Sequence, residues 1–182
     1  KEVEDLLKRI RDLLKRVEET SREVLEEIKR LIDRDRKHSK EVLDEIKELL
    51  KRLIEAAKRG EIREEDVKRV ARKVEKLLER NKKHNRDVEE RVKELLKDST
   101  RVLKEVEKRI RELLEDVRRR EDSERVRTII REVEKLLKEL EDKNDEIVRR
   151  VEELLRKSHE DNRRIAEEVR EMLKRLEDEM RR

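Results

Sequence analysis

The chain contains three imidazoles, His38, His84 and His159, and each lies in a nine-residue stretch with no apolar side chain. The stretches read DRDRKHSKE at 33–41, ERNKKHNRD at 79–87 and RKSHEDNRR at 156–164. Three His from separate segments can form a hydrolytic zinc centre with an open fourth position. That is the minor reading, because no H-E-x-x-H or comparable ligand spacing accompanies them. Ser158, His159 and Asp161 also supply the parts of a nucleophilic relay. As near-consecutive residues on a helix, however, they offer neither a pocket nor oxyanion donors. The hydroxyls and amides of Ser39, Asn81, Asn85, Ser158 and Asn162 suit hydrogen bonding better than ligation. The expectation is a structural polar cluster, with no enzyme activity and no cofactor.

Long helices must position these residues. Of 182 residues, 59% are charged and 32% apolar, with no Phe, Tyr, Trp, Cys or Pro and one Gly. Such charge can mean disorder, but Val, Leu and Ile recur here at helical spacing from Val3 to Leu176. Only two places carry punctuation. In KRGEIREED, Gly60 suits the left-handed position past a helix end, and Ile62 and Val67 are spaced as a hydrophobic staple around an unusual N-cap, Arg63. In RRREDSERV, a basic helix end is followed by Asp122 or Ser123 as N-cap. Three helices follow, at roughly 2–59, 63–120 and 123–180, each about 85 Å long. Short loops favour antiparallel neighbours. The expected fold is all-α: a long, nearly straight, antiparallel up-down-up three-helix bundle forming a single domain over 1–182. The apolar stripe drifts along each helix, so its period is near 3.6, an 18-residue repeat that calls for little supercoil.

Hairpin arithmetic then puts the three polar stretches level. His38 lies 20 residues before position 58 and His84 lies 20 after position 64; His84 and His159 lie 35 and 36 residues from the second loop. A shorter set of gaps repeats the pattern with Thr20, Ser21, Ser99, Thr100 and Asn144. One repeat separates the two sets: Thr20 from His38, Asn81 from Ser99, Asn144 from Asn162. The sequence thus predicts two buried polar layers. One contains His38, Ser39, Asn81, His84, Asn85, Ser158, His159 and Asn162, with His159 nearest the edge of the stripe. Buried polar groups must find partners or cost roughly 1–3 kcal/mol each, so such layers fix register. Burial also disfavours the imidazolium form, which predicts a loss of stability as pH falls from 7 to 4. If each His were shifted by about one to two units, the three would cost about 4–8 kcal/mol in acid, enough to soften the bundle but not to unfold it.

The charge pattern narrows the partners. Fifty-six basic and fifty-two acidic residues alternate finely, giving +4 overall. No basic stripe or aromatic platform suggests nucleic acid, and no apolar run reaches bilayer length or reads as a signal peptide. No partner is required. A monomer is expected, with self-association or a designed partner helix in a groove as the alternative.

Taken together, the Glu/Lys/Arg surface, the Leu/Ile/Val core, the three equal helices and the polar layers one repeat apart resemble de novo designed helical bundles with buried hydrogen-bond networks. The layer at His38, His84 and His159 resembles that of pH-responsive designs. The resemblance implies a scaffold protein with no natural location, soluble and suited to cytoplasmic recombinant expression. It departs from those designs in having one His layer on a single chain.

Overall fold

A computed structural model describes all residues, 1–182, as three α-helices: α1 (Glu2–Lys58), α2 (Glu64–Arg120) and α3 (Glu124–Arg181). The fold is a three-helix bundle, with helix limits within one residue of those expected. No helix is long and apolar enough to cross a membrane.

The ends of the helices follow from local chemistry. Gly60 adopts φ 70°. Its N–H donates to the Ala57 carbonyl at 3.1 Å, and the Glu61 N–H donates to the Ala56 carbonyl at 2.9 Å. This pair of bonds is a Schellman cap, which satisfies carbonyls that the helix leaves unpaired. α2 starts without a side-chain cap: the Arg63 carbonyl accepts from the Asp66 and Val67 N–H groups. Glu64, Glu65 and Asp66 face the positive end of the helix dipole. Ser123, not Asp122, caps α3. Its Oγ accepts from the Val126 N–H at 3.3 Å while donating to Glu121 at 2.8 Å.

The chain divides into two compact units, and each helix contributes to both. The first comprises 1–29 and 92–152, the second 30–91 and 153–182. In the first unit Val3 and Ile10 of α1 share a core with Ile110, Leu113 and Val117 of α2 and with Val126, Ile130 and Leu137 of α3. The start of α1 thus meets the end of α2 and the start of α3, as an up-down-up order requires. In the second unit Ile46, Leu50 and Leu53 pack with Val74, Val169 and Leu176 in the same sense.

Two substitutions test the helix ends. Nothing lies within 4 Å of a Cβ placed on Gly60, so Gly60→Ala should lose about 1 kcal/mol from backbone strain alone. Ser123→Ala should lose about 1 kcal/mol through the missing cap. Urea midpoints measure both, and an unchanged midpoint in either variant would contradict its assignment.

Candidate functional site

The first polar layer lies in the second unit. Successive residues of an α-helix are turned by about 100°, so only one line along each helix faces fully inward. On α1 that line runs Ile32, Asp35, Ser39, Val42 and Ile46, all buried. On α2 it includes Val74 and Asn81, and on α3 Val151, Ser158 and Ile165. The Ser39 Oγ lies 3.0 Å from Asn81 Oδ1 and 3.2 Å from Asn85 Oδ1. It carries one proton and so donates to one carbonyl at a time. This hydroxyl joins α1 to α2. Ser158, buried, and Asn162, half-buried, line a void of about 10 Å³ together with Asp35, Asn85 and His159. That space is near the lower limit for one water molecule.

The imidazoles do not form the expected buried trio. His38 and His159 each sit one residue from the inward line, beside Ser39 and Ser158, and His84, three residues from Asn81, is half-buried like its neighbour Asn85. A step of one residue rotates the ring to the flank of the helix. His38 and His84 do meet, with ring centroids 4.5 Å apart and planes tilted by 60°. His38 is half-buried and the His84 side chain is 43% exposed. The His159 side chain is 61% exposed, with Nε2 3.3 Å from Glu89 Oε1. His159 therefore leaves the layer, and the desolvation argument loses its premise for that ring. No three His or acidic residues are disposed to hold a metal ion. The relay fails on the same geometry: Ser158 is buried, His159 faces Glu89, and Asp161 is held by Arg36 Nε at 2.7 Å.

The sequence reading missed Asp35, which is 3% exposed. Its Oδ1 lies 3.6 Å from His84 Nε2, too far for a hydrogen bond, and has no hydrogen-bond partner. Burial pushes the Asp35 carboxyl above its usual range, and His84 and then His38 oppose that shift. Desolvation wins. The signal was present in the spacing, because Asp35 is three residues after Ile32 and four before Ser39.

The second layer lies in the first unit and joins a different pair of helices. Asn144 of α3 donates from Nδ2 to Thr100 Oγ1 of α2 at 3.3 Å, and Thr100 Oγ1 donates to the Leu96 carbonyl at 3.0 Å. Asn144 and Ser99 are buried. Thr20 and Ser21 of α1 are half-buried and stand outside this chain of bonds. The expectation that all three helices contribute to each network is therefore corrected. One layer links α1 with α2, the other α2 with α3.

Because desolvation outweighs its partners, the Asp35 carboxylate is destabilising at neutral pH. The stability associated with its raised pKa is present below 3.8 and is lost as pH rises through the folded value. Asp35→Asn should then stabilise the protein at pH 7 by about 1 kcal/mol, as burial of a charge is replaced by burial of an amide. Thermal or urea unfolding measures this, and a destabilised variant would show that the His84 and His38 contacts outweigh burial.

No protein-family model matches the chain, and no curated protein sequence matches it. Among solved structures it is similar to one described as a "Computationally designed three helix bundle". The likeness has a TM-score of 0.55 and 23% identity over 98% of this chain and 90% of that one. At that identity the likeness speaks for the fold.

Proposed function

We propose that the chain is a designed, non-enzymatic scaffold, one domain over 1–182 and monomeric, in which buried polar bonds choose helix register and pairing. The observation that carries this reading is the Ser39 hydroxyl, buried in an aliphatic core and facing amide oxygens on the neighbouring helix at 3.0 and 3.2 Å. An aliphatic stripe alone is tolerant of sliding by a turn. A hydroxyl that must meet an amide is not. The composition supports the same reading, since a mixed-charge surface over a Leu, Ile and Val core is built for solubility and helix formation.

The variant Ser39→Val, Asn81→Leu, Asn85→Leu tests the reading. The expected result is a higher urea midpoint together with extra resonances in amide NMR spectra, or sedimentation above 22.5 kDa. A single monomeric species with one set of resonances would refute a role in register.

Acid sensitivity is the finer part of the proposal, and it rests on His38, His84 and Asp35. The His38 and His84 rings lie 4.5 Å apart between centroids, and His84 Nε2 lies 3.6 Å from the buried Asp35 carboxyl, so a charge on either ring is placed beside the other. With His159 outside, the response should be smaller than three dry imidazoles would give. Protonation of Asp35 acts in the opposite sense, so the measure is a difference between proteins: from pH 7 to pH 4 the wild-type urea midpoint should fall relative to that of His38→Gln with His84→Gln. Equal pH dependence in the two proteins would refute the assignment.

A partner-binding module is the second reading. A groove of about 570 Å³ between α1 and α3 in the second unit, with Leu43 and Ile165 in its walls, favours it. Two ion pairs cross that seam and weigh against it: Arg36–Asp161 at 2.7 Å and Lys47–Glu168 at 3.1 Å. The exposed large apolar residues, Leu136 and Met180, lie on different units and form no shared stripe.

A further inference from the structure

Glu107 belongs to neither polar layer, yet it lies on the inward line of α2 between Leu103 and Ile110 and is only 6% exposed. Its Oε1 is buried without a hydrogen-bond partner. A carboxylate in that position would be an uncompensated buried charge. At this level of the first unit α1 presents the aliphatic Leu14 and Val17, and α3 presents Leu140. The charged groups that face Glu107 are Lys104 and Arg111, on α2 itself, and Glu141 on α3. Arg111 acts on both acids, opposing the shift of Glu107 while a guanidinium nitrogen lies 3.7 Å from the Glu141 carboxylate. The group that approaches Glu107 across the interface is therefore another acid. Two carboxylates are both acceptors, so the contact becomes a bond only when a proton lies between them.

We propose that Glu107 and Glu141 hold one proton between them, as a carboxyl–carboxylate pair that ties α2 to α3 in the first unit and loosens when base removes that proton. Burial, the hydrogen bond to Glu141 and the negative charge of Glu141 all push Glu107 in this direction, with Arg111 and Lys104 opposing, and its carboxyl is raised from 4.5 to about 7. The Glu141 carboxylate favours retention of the proton by Glu107, as in catalytic carboxyl dyads. The sign is opposite to that expected of buried imidazoles. A raised carboxyl pKa contributes stability that is fully present below the unfolded value of 4.5 and is lost as pH rises through about 7.

Two measurements on the full chain test this. Carbon-13 NMR of the Glu107 side-chain carboxyl should titrate near neutrality, well above the ordinary range for Glu. Amide protection factors over 103–114 should fall between pH 5 and pH 8 by up to roughly 70-fold, from linkage over those two values. In Glu107→Gln, an uncharged donor to Glu141, that fall should vanish. A Glu107 carboxyl that titrates in the ordinary range would overturn the proposal. So would a Glu107→Gln variant that keeps the wild-type fall in protection. The NMR titration uses unmodified protein and decides the matter even if the variant folds poorly.

Discussion

A buried amide, or a buried hydroxyl that does not bond back to its own helix, must find its partner on another helix, at one height and in one orientation. In the reading proposed above, that constraint makes this bundle specific. Leu, Val and Ile are nearly interchangeable neighbours, and an 18-residue stripe repeated along three equal helices offers many pairings of similar energy. In that reading Ser39, between Asn81 and Asn85, and Asn144, on Thr100, select among them. Because one bond set joins α1 to α2 and the other α2 to α3, the middle helix is common to both. On the α1 and α3 side, surface ion pairs such as Arg36–Asp161 take the place of a buried bond. Surface pairs of this kind contribute little stability, about 0–1 kcal/mol each.

The two buried acids show the same constraint under strain. Asp35 and Glu107 each occupy the inward line of a helix and each leave one oxygen without a hydrogen bond. Their surroundings differ in kind. Asp35 faces imidazoles, which can become cations; Glu107 faces another carboxylate, which can only share a proton. Both respond to pH, so the proton balance of the protein is not set by histidine alone.

Most of the architecture could be read from the residues. Gly60, Ser123 and the apolar period fixed the helix limits because each has a strong local preference that packing did not override. The matched heights of the polar stretches followed from the equal helix lengths. The inward list was less legible. His38 lies in line with Val24 and Leu31, at seven-residue spacing, and these are half-buried flank positions. The single inward line passes instead through Ser39, Asn81 and Ser158. Asp35 and Glu107 were hidden for a different reason: in a chain that is 59% charged, an acid at core spacing looks like one more surface residue. Their three- and four-residue spacing to Ile32, Ser39, Leu103 and Ile110 was the available signal.

The coupling between Ser39 and Asn81 is the most direct measure of whether buried bonds hold the helices in register. A double-mutant cycle with Ser39→Ala, Asn81→Ala and the pair, read by urea unfolding, isolates it. Register set by buried bonds requires a coupling energy of about 1 kcal/mol, since Ser39→Ala leaves the buried Asn81 amide without its partner while Asn81→Ala leaves the Ser39 hydroxyl only the longer bond to Asn85. Effects that add to within about 0.3–0.5 kcal/mol would mean that the two residues do not act on each other, and that packing alone sets the register.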